Sequence, residues 1–344
     1  MGHPDAPPLS VSIVIPMYNE ENYIGECLAS LLHQDYPKEL YEIIVVDGMS
    51  GDRSREIVLK IAEEHPTVRL LDNPKRITSA GLNIGVKQAR GDMVNILGAH
   101  SYVAEDYLSQ IVYYLHKTGA DCVGPAWNTI GTTFQARAIA LAMSSRFGVG
   151  NALYRVSKRE GYVDTCGFAT YRKEVFDKIG FFDEGFTRSN EDFEFNRRLI
   201  NAGGKIYMTP AVKAYYYSRG SIKDLFRQYF RYGYWKIDVL KKVPGSFLFR
   251  YQIPVFFVLG LILTGIAGIF SKTALVLFTL IVGLYLSAAF VASLFIAIKS
   301  GLRYLIVLPF AFMALHFGFG LGFTCSLFSH LIRRRKRATS ASEA

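Results

Sequence analysis

The sequence predicts an α/β protein built on a mainly parallel sheet and followed by a transmembrane helical region. Two features of the first 118 residues carry the first half of that reading. Apolar strand-like runs alternate with stretches of helical spacing, and strands joined by crossover helices must lie parallel. EIIVVD (42–47) is moreover a continuous apolar run, as a strand covered on both faces should be. The second half rests on 253–270, 273–298 and 302–332, which run almost without charge. Roughly 20 apolar residues cross a ~30 Å hydrocarbon layer.

Taken in order, VSIVIP (11–16) alternates and stops at a proline, and EENYIGECLASLLHQ (20–34) then places Ile24, Leu28, Leu31 and Leu32 at helical spacing. After EIIVVD and the turn MSGDRS comes a helix carrying Ile57, Val58, Ile61 and Ala62. The pattern repeats as VRLLD (68–72), a helix near 78–90, MVNIL (93–97), a helix over 105–117 and a short strand at 121–124. Residues 128–160 are polar, Gly-rich and weakly periodic, and read as an irregular excursion. A helix beginning near 190 and strands at 206–208 and 213–217 follow. Within IKDLFRQYFRYGYWKIDVLKK (222–242), Lys223, Arg227 and Arg231 share one face and Leu225, Phe226, Tyr229 and Phe230 fill another. This is either an amphipathic helix on the membrane surface or a surface helix packed on the soluble part.

The chain of 344 residues is half hydrophobic, with a mean hydropathy of +0.18 and a net charge of +10. Basic residues gather just before the first apolar segment and at Arg333–Arg337. Anionic lipid headgroups explain that placement better than nucleic acid does. MGHPDAPPLS offers no secretory signal, so the preceding domain is expected on the cytoplasmic side of the cell membrane. Ala6 sits where a myristoylation signal wants Ser or Thr. Cys27, Cys122, Cys166 and Cys325 form no C-x-x-C and are expected to be reduced, structural thiols.

Four stretches could carry chemistry. Asp47 ends a buried strand, at the edge where an α/β sheet gathers ligands, and it either meets a ligand or caps the following turn. Pro16, Tyr18, Asn19 and Glu20 follow the first strand directly; neither a G-x-G-x-x-G nor a P-loop pattern is present, which argues against dinucleotide and P-loop chemistry. In SNEDFEFNRRL (189–199), Ser189 and Asp192 could form a capping box. Alternatively, the crowding of Glu191, Asp192 and Glu194 would raise a carboxyl pKa toward the range of a general base. In QYFRYGYW (228–235), an amide and a guanidinium one helical turn apart could hold a diphosphate, although aromatic residues are also expected at any membrane interface.

Together, Pro16-Met17-Tyr18-Asn19-Glu20, Asp47, Gly81-Leu82-Asn83-x-Gly85 leading to Ala89-Arg90-Gly91-Asp92, Glu191-Asp192 and Gln228-x-x-Arg231 resemble a family 2 glycosyltransferase. Within that family they are similar to the membrane-bound succinoglycan-biosynthesis type. The resemblance covers roughly residues 10–240. It implies a GT-A fold, a nucleotide-sugar donor and inversion at the anomeric carbon by one direct displacement. Carried over, Pro16, Tyr18, Glu20, Asp47 and His100 hold the nucleotide sugar. Asp192 is the general base beside Glu191, and Gln228, Arg231 and Trp235 line the diphosphate or acceptor channel. The family's Trp directly follows the Arg, whereas here Tyr232 does and Trp235 comes later.

Residues 98–100 fall where this superfamily carries Asp-x-Asp, or Asp-x-His in the similar subgroup, to hold a divalent cation. Here the first acid is Gly98, which leaves His100 as the motif's metal ligand and predicts a weakened or altered dependence on Mn²⁺ or Mg²⁺.

The expected organisation is a GT-A domain over 1–220, an amphipathic interfacial region over 221–250, about three membrane segments over 251–332 and a basic polar tail over 333–344. Three crossings would place Arg333–Arg337 opposite the catalytic domain, against the positive-inside tendency. Residues 302–332 contain Pro309, Gly318, Gly320 and Gly322, so a broken, tilted or re-entrant passage is open. His316, alone within its span, is expected to bridge helices. The function expected is transfer of one sugar from a nucleotide sugar to a lipid-linked or growing glycan acceptor at the cytoplasmic membrane face, among membrane lipids and without nucleic acid. The alternatives are a non-catalytic membrane scaffold that keeps the fold, and a processive polysaccharide synthase.

Overall fold

A computed structural model describes residues 8–186, 189–246 and 249–342. The chain divides into two compact units, one formed by residues up to Thr129 with Ala152–Tyr217, the other by Ile130–Asn151 with Ser218 onward.

The first unit runs β1 (Val11–Met17), α1 (Ile24–Leu32), β2 (Tyr41–Asp47), α2 (Ser54–Glu64), β3 (Val68–Asp72), α3 (Thr78–Gln88), β4 (Met93–Ile96), β5 (Ser101–Val103), α4 (Tyr107–Thr118) and β6 (Cys122–Ile130). The chain then forms α5 (Phe134–Met143) and α6 (Arg146–Val149) in the second unit. It returns as α7 (Leu153–Val156), β7 (Gly161–Tyr162), β8 (Thr170–Arg172), α8 (Glu174–Ile179), α9 (Glu191–Asn201) and β9 (Ile206–Tyr217). The sheet order is β3-β2-β1-β4-β8-β6-β9-β5, with β7 on β9. β1 is parallel to β2 and β4, and β2 to β3; β8 enters antiparallel beside β4.

The glycines of Gly81-Leu82-Asn83-x-Gly85 set how closely α3 packs on this sheet. A Cβ on Gly85 would lie 2.3 Å from Val14 of β1, and one on Gly81 would lie 3.0 Å from Asn73. Asn83 Nδ2 donates to the Phe182 carbonyl and its Oδ1 accepts from the Phe182 amide, both at 2.9 Å. Gly91 likewise leaves no room, since its Cβ would meet the Ser12 amide at 2.7 Å, and Asp92 accepts from Ser10. These motif residues therefore hold the helix and strand at contact distance, with Val14, Ile44, Val46, Leu82 and Val86 in one core cluster.

The stretch 128–160 is more ordered than its sequence predicts. Its α5 is rich in alanine, so apolar spacing is faint, yet Ala136, Ala138, Ile139, Ala142 and Met143 are buried within the second unit. The segments at 206–208 and 213–217 form one strand, β9. The short β5, β7, β8 and α8 leave too few residues for periodicity to show.

The second unit also contains α10 (Ile222–Lys242), α11 (Phe249–Gly268), α12 (Lys272–Ser300) and α13 (Leu308–Ser342). By length and composition, Tyr251–Gly268, Lys272–Ser300 and Leu308–Leu331 are each apolar enough to cross a membrane. α11 and α12 form an antiparallel hairpin, with Gly268 against Leu275, Gly265 against Phe278 and Phe257 stacked on Tyr285. His316 bridges helices as expected. Its Nδ1 pairs with the Tyr285 hydroxyl at 3.1 Å and its Nε2 with the Phe147 carbonyl at 2.8 Å.

Candidate active site

In a sheet of order β3-β2-β1-β4 the crossovers reverse direction between β1 and β4, and ligands gather at the carboxyl ends of strands beside such a reversal. Two loops meet there. One leaves β1 as Tyr18-Asn19-Glu20 and the other leaves β4 as Gly98-Ala99-His100. They are joined by Glu20 Oε1 and His100 Nδ1 at 2.9 Å.

The β1 loop is also fastened to the loop after β2. Asn19, with φ of 55°, accepts from the Gly51 amide through Oδ1 and donates its own amide to Ser50 Oγ. The Glu20 amide donates to Ser54 Oγ at 2.7 Å. Asp47 is fully buried and stands opposite Met17 in the β1–β2 register. Its carboxylate accepts from Ser50 Oγ at 2.6 Å and from Arg55 at 3.2 Å, and Arg55 also reaches Asp72 at 2.6 Å. Asp47 thus caps its own turn and carries a paired charge, which is what allows a carboxylate to be buried. Tyr18 is 54% exposed beside it, an uncovered ring at the sheet's ligand edge.

The space an acid would take at position 98 is filled by an aromatic ring. A Cβ on Gly98 would lie 3.2 Å from Phe168 Cε1. Phe168 has φ of 54°, an uncommon conformation for a bulky residue, and its ring stacks on Trp127 at 4.5 Å between centroids. Trp127 in turn stacks on Tyr216 at 4.8 Å and lies under the Arg155 guanidinium at 4.5 Å; Tyr216 meets the edge of His100 at 5.2 Å. The ring of Trp127 fits because position 167 is glycine, where a Cβ would stand 2.1 Å from it. None of Trp127, Arg155, Phe168 and Tyr216 belongs to a sequence motif. The one local hint is the Gly167-Phe168 pair, whose glycine admits the Trp127 ring.

The acids of α9 separate into two roles. Glu194 is buried and paired with Arg198, which also donates to the Ile179 and Phe181 carbonyls, so this carboxylate holds the helix in place. Glu191 is half-buried, with Oε2 sealed from solvent and unpartnered; burial first, and the neighbouring Asp192 charge second, push its pKa up to about 8. Asp192 is exposed. Its Oδ1 accepts from the Phe193 amide at 2.7 Å, and no described residue pairs with Oδ2. The N-cap of α9 is Asn190, in the left-handed region, rather than the Ser189 of a capping box. Farther along the same helix, Asn196 donates to Thr165 Oγ1 and the Cys166 carbonyl and accepts from Tyr171. Residues 165–168, which carry Phe168 to Gly98, are thereby tied to the helix that begins with Glu191 and Asp192.

Gln228, Arg231 and Trp235 lie on α10, in the second unit. Gln228 is buried and donates to the Tyr232 hydroxyl at 3.0 Å, while Arg231 is exposed. Trp235 is half-buried, edge-on to Tyr234 at 5.8 Å.

For a divalent cation, no group of three or more His, Cys, Asp or Glu ligands forms among the described residues. His100 still fits as a single ligand. In the tautomer whose Nδ1 donates to Glu20 Oε1, Nε2 keeps its lone pair, the arrangement in which an outer carboxylate orients a ligating imidazole. With phosphate oxygens and water completing the shell, that donor suits Mn²⁺ better than Mg²⁺.

The profile of Glycosyl transferase family 2 matches residues 12–180. Succinoglycan biosynthesis protein ExoA of Rhizobium meliloti is 38% identical over 224 residues, 64% of this chain and 67% of that protein. A dolichyl N-acetyl-alpha-D-glucosaminyl phosphate 3-beta-D-2,3-diacetamido-2,3-dideoxy-beta-D-glucuronosyltransferase of Methanococcus voltae is 29% identical over 324 residues, 91% of this chain and 95% of that protein. Among solved structures, mannosyltransferase PcManGT from Pyrobaculum calidifontis, in complex with GDP-Man and Mn²⁺, aligns with a TM-score of 0.56 at 19% identity, covering 89% of this chain and 86% of that one. Staphylococcus aureus TarS 1–349 with UDP-GlcNAc aligns at 0.53 and 16% identity, covering 92% and 90%. These likenesses show the fold, which is of the GT-A class of glycosyltransferases. With the profile and the Rhizobium relative, the chain belongs to the family 2 glycosyltransferases.

Proposed function

We propose that this glycosyltransferase moves a sugar from a nucleotide-sugar donor to a lipid-linked or growing polysaccharide acceptor at the cytoplasmic face of the cell membrane, inverting the anomeric centre, with Asp192 as general base. The observation that carries this reading is the tie between α9 and the β1/β4 reversal, through Asn196, residues 165–168 and the contact of Phe168 with Gly98. It supports an acid that works beside the loops suited to a donor. The Methanococcus relative, a transferase acting on a dolichyl-phosphate-linked sugar, and the Rhizobium relative, a succinoglycan biosynthesis protein, support the acceptor classes.

In this reading Pro16, Tyr18, Glu20 and Asp47 line the nucleotide end, and Gln228, Arg231 and Trp235 serve the diphosphate or acceptor. Asp192 takes the proton of the acceptor hydroxyl on Oδ2. The hydroxyl oxygen forms its bond to the anomeric carbon as the bond to the donor diphosphate breaks, and the nucleoside diphosphate leaves with that electron pair. Glu191, protonated below about pH 8, keeps the acidic pair at a single negative charge. A divalent ion held by His100, when bound, would supply Lewis-acid charge to the leaving diphosphate. The hydrophobic helices would anchor the enzyme among its lipids.

The test is transfer measured over a panel of nucleotide sugars with membrane-extracted acceptors, together with the configuration of the product. An Asp192→Asn variant that transfers normally, or a product of retained configuration, would overturn the reading.

A further inference from the structure

The three apolar helices of the second unit do not have equivalent surroundings. Only 17% of the apolar window of α11 and 6% of that of α12 is buried by protein, against 61% for α13. The cover on α13 includes α10 along much of its length. A Cβ on Gly318 would meet the Phe226 carbonyl at 2.9 Å, one on Gly322 the Phe230 carbonyl at 2.1 Å, and His330 pairs with Asp238 at 3.3 Å. From the other side, a Cβ on Gly233 would lie 2.1 Å from the Phe319 carbonyl. The Gly318–Phe226, Gly322–Phe230 and His330–Asp238 pairs share one offset of 92 positions, so the two helices run parallel and in register from about residue 318 to 330. Glycine at 318, 322 and 233 lets their backbones touch.

α10 cannot cross a bilayer. Charged residues recur through it at Lys223, Arg227, Arg231, Lys236, Asp238 and Lys242, and a crossing would leave several of them in hydrocarbon. A helix fastened beside it over three turns must sit at the same depth. α13 meets the hairpin, moreover, through Tyr251, Pro254, Phe257 and Val258 in the first half of α11 and through Tyr285 midway along α12. It crosses the root of the hairpin instead of running beside it to the exposed tip at Ile269 and Phe270.

We propose that α10 and α13 form one platform lying in the plane of the membrane surface, and that only α11 and α12 cross. The platform's partner is an anionic lipid leaflet. Lys223, Arg227 and Arg231 are exposed along one face of α10 for the headgroups, and Phe310, Phe328 and Leu331 are exposed on α13 for the acyl chains. Two crossings return the chain to the side it left. The basic tail Arg333–Arg337 then lies on the side of the residues that precede α11, and the conflict with the positive-inside tendency disappears. The proposal rests on the membrane reading given above.

Sealed vesicles of both orientations, carrying the full-length chain with Cys325→Ser, test it with a membrane-impermeant maleimide. Leu59→Cys marks the first unit, Phe270→Cys the hairpin tip and Ser340→Cys the tail; Leu59 and Phe270 are 47% and 86% exposed. Leu59→Cys and Ser340→Cys are expected to label from one side and Phe270→Cys from the other. Labelling of Ser340→Cys together with Phe270→Cys, opposite Leu59→Cys, would overturn the platform and leave the membrane reading intact. Labelling of all three from one side would overturn both. The chain without cysteine substitutions gives a second reading, because trypsin should remove a C-terminal epitope only from vesicles that expose the first unit.

Discussion

Glu20 and His100, 80 residues apart, join their side chains at 2.9 Å across the reversal between β1 and β4. Glu20 is thereby a positioning residue for the imidazole, a role that its place in the Pro16–Glu20 stretch did not suggest. In EDTA-stripped enzyme, Mn²⁺ is expected to restore donor binding at lower concentration than Mg²⁺. Glu20→Gln should weaken Mn²⁺ affinity by about 10–100-fold, as loss of an outer-shell carboxylate does. Calorimetric titration of the ion in the presence of a nucleoside diphosphate checks this, and strict dependence on micromolar Mg²⁺ would contradict it.

Gly98 is the position where an acid would complete the metal motif, and Phe168 stands 3.2 Å from its missing Cβ. Gly98→Asp should therefore act as overpacking. The expected loss is about 1–3 kcal/mol of stability, seen as a lower melting temperature. Paired with Phe168→Gly, it should cost less than the sum of the two single losses, because the ring is gone and the backbone at φ 54° suits glycine. Additive losses in the double variant would show that the ring is not the obstacle.

Asp192→Asn keeps the shape of the side chain and removes its basicity. Transfer should fall by about 10²–10⁴-fold while nucleotide binding changes little. Parallel rate and binding measurements separate this outcome from that of a scaffold protein, for which glycan output in cells would be unchanged.

Glu191 has its pKa pushed up to about 8 by burial and by the Asp192 charge. An acid whose folded pKa is raised binds more protons folded than unfolded, so its contribution is intact below the unfolded value and is lost as pH rises through the folded one. Glu191→Gln should accordingly gain melting temperature relative to the parent chain as pH goes from about 5 to 8. Melting curves across that window check the sign; a difference that is flat or reversed would refute it.

Gly322 stands where a side chain would meet the Phe230 carbonyl at 2.1 Å. Gly322→Val should pry α10 from α13 and lower the melting temperature in lipid, while Leu284→Val, on an exposed face of α12, should change little.

Much of the strand and helix order up to residue 118 was legible because buried parallel strands and their crossover helices impose strong periods on the chain. Asp47, Glu20 and Asp192 were legible as candidates because charged residues at strand ends and helix starts stand out against those periods. Glu194 was not separable from its neighbours until Arg198 was seen to hold it, since spacing alone cannot tell a paired carboxylate from a reactive one.

By itself, then, the sequence determined the alternation of elements, the apolar helical region and the residue types at the carboxyl edge of the sheet, all of which are local properties of the chain. Tertiary structure alone decided that Glu20 turns to His100, that Phe168 fills the place of an acid at position 98, and that α13 lies along α10. Each of these joins residues 70 to 92 positions apart, and such pairings arise from side-chain volume and backbone approach in three dimensions, which leave no period in the sequence.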